Sequence, residues 1–278
     1  MDNKDRVVFK ENKLMNDNID NLLAKFKGFK KVNLFDIGCG NGMPALSVIK
    51  YLKKFNIEIT YTALDISQRM IEIDKQLLLE KYPEIQFSSD IIDLDYTNLS
   101  KNFIANKSNT TDANLIMFLG ATIGNQQNTN RVFANIRGSM GLNDFLMIGA
   151  GVETNEVKLT ATEPHNQYHY KRTTWILDYL GLEGCYPETT LDRYDADKRE
   201  YTRKILIQKE VDTSVKIGDY TIPLKFNEDD EILVSRFRRF KEEEIFHEVI
   251  SKGFAIDQFV SSLDDSYVLF IVRPKKSY

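Results

Sequence analysis

The 278-residue chain holds two cysteines, Cys39 and Cys185, six prolines, three histidines and one tryptophan. Two cysteines make no disulfide framework and no zinc-ligand set, so a reducing, cytoplasmic compartment is the expectation. No apolar run is long enough to cross a bilayer, and the opening "MDNKDRVVFKENK" is charged, without the apolar stretch of a secretory signal. Neither a membrane span nor export is expected. Positive charge is not in excess either: 37 Lys and Arg face 41 Asp and Glu, for a net charge of −4 and a pI near 5.6. That balance argues against a protein that binds nucleic acid over its whole surface. His165 and His169 stand four apart in "EPHNQYHYK", but a zinc-protease helix needs glutamate after the first histidine, where this chain has Asn166. No metal is expected. Internal repeats and low-complexity blocks are absent, and the oligomeric state stays open.

What is present is a core-forming chain with 42% hydrophobic residues. Around "NDNIDNLLAKF", Ile19, Leu22, Leu23 and Phe26 recur at helical spacing. Strand-like and helix-like runs then alternate: "VNLFDI", "MPALSVIKYLKKF", "IEITYTALDI", "QRMIEIDKQLLLEKY", "IQFSSD", "NLIMFLG", "TNRVFANIRGSM" and "DFLMIGAG". Pro44 fits a first helical turn, and Ser67 is the expected N-cap of the second of these helices, which stops before Pro83. Strands joined by helix-length connections imply an α/β fold with a parallel, doubly wound sheet. After Gly151 the rhythm changes. One helix, "YKRTTWILDYLGL", is followed by "REYTRKILIQKEV", "DYTIPLKF" and "EILVSRFRRF", which read as antiparallel strands, before a closing amphipathic helix and strand. The expected organisation is an N-terminal helical segment (1–30), a core (31–151), an inserted α+β cap (152–240) and a core completion (241–278).

The stretch "LFDIGCGNGMPAL" places Gly38, Gly40 and Gly42 directly after a strand and before a helix, where a backbone without Cβ can turn sharply and lie against a ligand. The third glycine comes too early for the pyrophosphate loop of a nicotinamide dehydrogenase. Three acids close successive strands: Asp36, Asp65 and Asp90. In an open parallel sheet, ligands lie beyond the carboxyl ends of the strands, so all three can face one crevice. An acid after the second strand suits ribose hydroxyls. One after the third suits the exocyclic amine of adenine, leaving the Ile91 N–H for a ring nitrogen. Each alone could be a turn or helix cap; together they point to a nucleoside cofactor.

With "LFDIGCGNG", "ALDIS" and "SSDI" in these roles, the chain resembles the class I S-adenosylmethionine-dependent methyltransferases over about residues 30–151 plus the final helix and strand. The resemblance implies a seven-stranded, Rossmann-like core and S-adenosylmethionine as cofactor. "FLGATIGN" (118–125) further resembles the Gly-Ser-Thr-Ile-Gly-Asn stretch of the histidine-specific N-methyltransferases of ergothioneine biosynthesis, with Ala121 in place of serine. The closing asparagine of that motif holds the substrate's amino-acid backbone, a role that falls here to Asn125. The chain departs from that family in three ways. "GMPAL" carries no lysine for the cofactor's carboxylate, no segment matches the family's N-terminal substrate-contacting tyrosines, and "EILVSRFRRF" offers no Glu-x-Ser pair to an imidazole. Histidine is therefore not the expected substrate.

Arg236, Arg238 and Arg239 could meet an anionic group or form a solvated face. Tyr168, Tyr170 and Trp175 could surround a substrate amine through cation–π attraction or form the cap's own core. The expected cofactor set is thus Asp36, Gly38, Gly40, Gly42, Asp65, Asp90, Ile91 and Gly120, and the expected catalytic set is Asn125, Tyr168 and Tyr170. The function expected is N-methylation of an amino acid or related small amine. Methylation of an oxygen or a peptide side chain is the alternative, as is binding of the cofactor without catalysis.

Overall fold

The structure, a computed structural model, describes residues 7–97, 99, 111–120, 122–154, 174–217 and 220–275. The chain runs α1 (Val7–Leu22), a 3-10 turn (Ala24–Gly28), β1 (Lys31–Ile37), α2 (Met43–Lys53), β2 (Glu58–Asp65), α3 (Gln68–Lys81), β3 (Gln86–Ile91), β4 (Asp112–Phe118), α4 (Thr129–Ser139) and β5 (Phe145–Gly151). Five further strands follow: β6 (Leu191–Asp195), β7 (Glu200–Leu206), β8 (Val211–Ile217), β9 (Tyr220–Phe226) and β10 (Glu231–Arg238). The chain closes with α5 (Glu242–Ser251), β11 (Phe254–Ser261) and β12 (Tyr267–Pro274). It divides into two compact units, Met1–Val152 with Phe240–Tyr278, and Glu153–Arg239.

In the first unit β4 and β5 are buried at every position, and β1 at all but its first residue. Such strands must be covered on both faces, as in a parallel sheet flanked by helices. The sheet has seven strands in the order β11-β12-β5-β4-β1-β2-β3; β1 to β5 pair in parallel, while β12 runs antiparallel to both β5 and β11. This is the doubly wound α/β fold that the alternation of strands and helices predicts. Alternate side chains divide between two cores. Leu34, Val48, Tyr61, Ile71 and Met147 belong to one, and Phe35, Ile116, Phe133, Ile148 and Phe270 to the other. The local signals hold: Pro44 sits in the first turn of α2, the Ser67 side chain accepts from Met70 N–H at 3.3 Å, and α3 ends at Lys81. α1 starts well before the stretch the apolar spacing marks. Among the described residues, no helix is long and apolar enough to cross a membrane.

The chain leaves this unit after β5 and returns beside it: Val152 bridges Phe240, whose N–H donates to Gly151 O at 3.0 Å. The second unit has an antiparallel sheet in the order β10-β7-β6 and a separate β8-β9 hairpin. Its core gathers Leu177, Leu182, Cys185, Ile205 and Ile207. "REYTRKILIQKEV" is not one continuous strand. Ile207 N–H donates to Asp230 O and Gln208 N–H to Cys185 O, so the chain changes partners between β7 and β8.

Candidate active site

The turn from β1 into α2 is built from left-handed backbone. Gly38, Gly40 and Gly42 have φ of 67°, 53° and 69°, a region that L side chains rarely adopt. At two positions space forbids a side chain as well. A Cβ on Gly42 would lie 1.8 Å from Asp74 Oδ1, and one on Gly38 would lie 2.8 Å from Thr122 Cγ2. Asp65, at the end of β2, ties the turn down: its carboxylate accepts from Gly40 N–H at 3.0 Å and from Ser67 N–H at 2.9 Å. These bonds, with a longer contact from the Cys39 thiol at 4.0 Å, leave lone pairs on a carboxylate that lines the neighbouring cleft.

That cleft has a volume of about 440 Å³, within the usual range of roughly 300–1,000 Å³ for small-molecule sites. Gly38, Asp65, residues 92–95, Thr122, Asn125 and Gln126 are among those lining it. Two of the expected cofactor positions, Gly38 and Asp65, are thereby brought together with the expected substrate residue Asn125. Asp90 and Ile91 are both exposed and stand outside this lining. The turn after β3 lines it instead, and there Asp95 Oδ1 is buried with no protein partner. "SSDIIDLD" holds three acids in six residues, so sequence alone does not single out the one that faces the cleft.

Behind the loop lies a group of buried acids that sequence reading only half anticipated. Tyr61 Oη stands 2.8 Å from Asp36 Oδ2 and 2.9 Å from Asp74 Oδ2. One hydroxyl has one proton, so one of these two carboxyls must carry a proton of its own for both contacts to be hydrogen bonds. Burial, and then the charge of Asp74, push the Asp36 carboxyl up to about 8; burial pushes Asp74 up to about 6. Burial and the neighbouring acids also push the Cys39 thiol far up, which keeps it protonated and unreactive. Glu11, from α1, is the residue sequence reading missed. It is fully buried, accepts from Gly120 N–H at 2.8 Å and from the Tyr267 hydroxyl, and burial raises it to about 7. Gly120 itself has φ 71°.

Tyr168 and Tyr170 lie outside the described residues. Trp175 is exposed in the second unit. Of the three arginines, Arg236 pairs with Glu200 at 3.0 Å. Glu231, the acid of the same strand, pairs with Lys204 at 2.6 Å and Arg193 at 3.1 Å. Tyr194, Tyr201 and Phe237 stack in series at 4.4 and 4.7 Å between ring centroids, with the Tyr194 hydroxyl on Glu153. Among the described residues no group of three or more His, Cys, Asp or Glu could hold a metal ion.

The family model for histidine-specific, SAM-dependent methyltransferases matches residues 7–178, more than half of the chain. No curated protein matches it. Similar solved structures include a SAM-dependent methyltransferase from Methanosarcina mazei, with a TM-score of 0.49 and 12% identity over 93% of this chain and 97% of that one. Another is a Pyrococcus horikoshii protein, with a TM-score of 0.49 and 13% identity over 94% and 89%. A third is the 1,6-didemethyltoxoflavin-N1-methyltransferase of Burkholderia thailandensis with 1,6-didemethyltoxoflavin and S-adenosylhomocysteine bound, with a TM-score of 0.49 and 10% identity over 97% and 81%.

Proposed function

Because this chain belongs to the histidine-specific, SAM-dependent methyltransferase family, we propose that it N-methylates an amino acid or a related small amine. The chain is an enzyme that uses S-adenosylmethionine, which sets aside binding without catalysis. When bound, that cofactor supplies a methyl group on a positively charged sulfur. The residues present suit such a group: an acid and a left-handed glycine turn share a cleft of fitting size, and buried carboxylate oxygens without protein donors, on Asp95 and Glu11, can receive N–H groups. Asp65 would hold the ribose hydroxyls. Asp90 with the Ile91 N–H, or Asp95 from within the cleft, would read the adenine.

The observation that carries the amine reading is the position of Asn125. It ends the turn Thr122–Asn125 after β4 and lines the same cleft as Asp65. Its amide offers both donors and an acceptor, so it can orient the carboxylate or amine of a small substrate beside the cofactor. Orientation is most of what such a displacement requires of a protein, and it contributes several powers of ten in rate. The substrate amine must arrive neutral, which desolvation favours by lowering its pKa. The chain leaves for its second unit from the carboxyl end of β5, the edge of the sheet on which the cleft lies, and we assign that insertion to substrate selection.

The test is Asn125→Ala. Cofactor affinity and melting temperature should change little, because the glycines and acids stand on other elements. Catalytic efficiency toward the preferred amine should fall at least tenfold, about 1.4 kcal/mol of transition-state stabilisation. Normal turnover would remove Asn125 from the site, and a fall in stability without a selective loss of turnover would make it a fold residue. The acceptor panel includes histidine. It should not be preferred, because β10 offers no Glu-x-Ser pair to an imidazole; its one acid, Glu231, pairs with Lys204 and Arg193. Trimethylhistidine formed as fast as any other product would overturn that expectation.

A further inference from the structure

We infer that Glu11, from the first helix, binds the ammonium of the cofactor's amino-acid end. The inference rests on the cofactor reading above and adds a residue and a role to it. Its first support is the order of strands across the carboxyl edge of the sheet. If Asp65 at the end of β2 takes the ribose and the turn after β3 takes the adenine, the rest of the cofactor must run the other way, past β1 toward β4. Neighbouring strands lie about 4.8 Å apart, so β4 stands roughly 10 Å from β2, a span that the chain from ribose to ammonium can cover. At that place the Glu11 carboxylate accepts the N–H of Gly120, two residues beyond the last residue of β4.

The second support is an orphaned atom. Glu11 Oε2 takes both the Gly120 N–H and the Tyr267 hydroxyl, while Oε1 is buried without any protein partner. A buried carboxylate oxygen without a donor is costly, and the natural complement is a cation bearing N–H groups. The surroundings agree: the charges felt by Asp36 beside it are those of Asp74, Glu11 and Asp65, all acids. The site is also shaped around Glu11. A Cβ on Gly149 would come within 2.4 Å of Glu11 Oε2 and 2.2 Å of Tyr267 Oη, so the bare backbone of β5 makes the room in which the two meet.

The experiment is a double-mutant cycle between protein and ligand. S-adenosylhomocysteine and its deaminated analogue, with hydrogen in place of the ammonium, are titrated by calorimetry into the wild type and Glu11→Gln. Glutamine has the shape of the protonated glutamic acid, so the variant should fold. The wild type should bind the analogue at least tenfold more weakly than S-adenosylhomocysteine. Glu11→Gln should bind S-adenosylhomocysteine at least tenfold more weakly than the wild type, yet bind the analogue as the wild type does. Equal affinity of the two proteins for S-adenosylhomocysteine would overturn the proposal and leave the cofactor reading intact. A loss by Glu11→Gln that is the same for both ligands would do likewise, since it would mean a structural role. A wild-type ratio near one would also overturn the proposal, because it excludes an ammonium contact, and it can be read whether or not the variant folds. A wild type that binds neither ligand would remove the cofactor reading itself.

Discussion

Single residues carry the legible signal of this site and also its blind spot. Asp36 and Asp65 stand out because acids end apolar strands. Glu11 and Asp74 are equally telling in hindsight, because each occupies a position that helical spacing assigns to the core. Glu11 precedes the buried Leu14 and Met15 by three and four residues, and Asp74 falls between the buried Ile71 and Leu78. An acid within an apolar stripe is the cue, since burying a carboxylate is costly unless it is paired or protonated. That cost gives a prediction. Glu11, Asp36 and Asp74 are raised to about 7, 8 and 6, above the ordinary carboxylate value, so between roughly pH 4 and 8 the folded protein holds more protons than the unfolded chain. Stability from these groups is therefore complete below pH 4 and falls as pH rises through 6 to 8. The groups facing them are Tyr61, Tyr267, Cys39 and Asp65, and none of these supplies a positive charge. Denaturant unfolding of the ligand-free protein should show decreasing stability from pH 5 to 8, with a shallower slope in Asp36→Asn. A pH-independent midpoint over that range would show that the acids ionise without cost.

At the scale of elements, what the sequence makes legible is alternation and termini. Five parallel strands, the cap at Ser67 and the glycine turn all follow from local patterns with a physical cause. What local pattern does not determine is pairing. The break between β7 and β8 depends on distant partners, Asp230 and Cys185, and the early start of α1 depends on the packing of that helix against β11, β12 and α2. The glycine turn separates two costs that sequence treats as one. Gly40 has the left-handed φ but room: the nearest atom to an added Cβ is Met70 Cε at 3.9 Å. Gly42 is left-handed too, at φ 69°, and has Asp74 in the way. Gly40→Ala should therefore cost about 1–2 kcal/mol, the backbone term alone. Gly42→Ala should cost clearly more, because Asp74 must leave its bond to Tyr61. Chemical denaturation of the two variants compares them. Equal losses would mean that Asp74 moves aside freely and that the acid group behind the loop is not fixed.

The whole molecule joins a unit whose purpose the sequence reveals to one whose purpose it does not. Every described residue proposed here for the cofactor or for the substrate's amino-acid end, from Glu11 to Asn125, belongs to the unit Met1–Val152 with Phe240–Tyr278. The second unit, Glu153–Arg239, has its own core, its own ion pairs and an aromatic stack, but no motif that specifies a substrate. A fixed ligand such as a nucleoside cofactor can be met by a short motif, while an insertion proposed to select the substrate is shaped by packing that leaves no short signature. A thermodynamic consequence follows for the first unit. A ligand that binds only the folded state stabilises it by about 2.7 kcal/mol at roughly one hundred times its dissociation constant. For a unit of this size that corresponds to a rise in melting temperature of about 5–10 °C. S-adenosylhomocysteine should produce that rise in the wild type. In Asp65→Ala it should largely vanish if Asp65 holds the ribose as proposed, since the hydroxyls would lose their acceptor and the Gly40 and Ser67 amides lose theirs. The loop bonds complicate the comparison, so the variant's own melting temperature is read first, without ligand. A variant that melts lower but still responds fully to S-adenosylhomocysteine would limit Asp65 to holding the loop, and the ribose would then need another acceptor along the cleft.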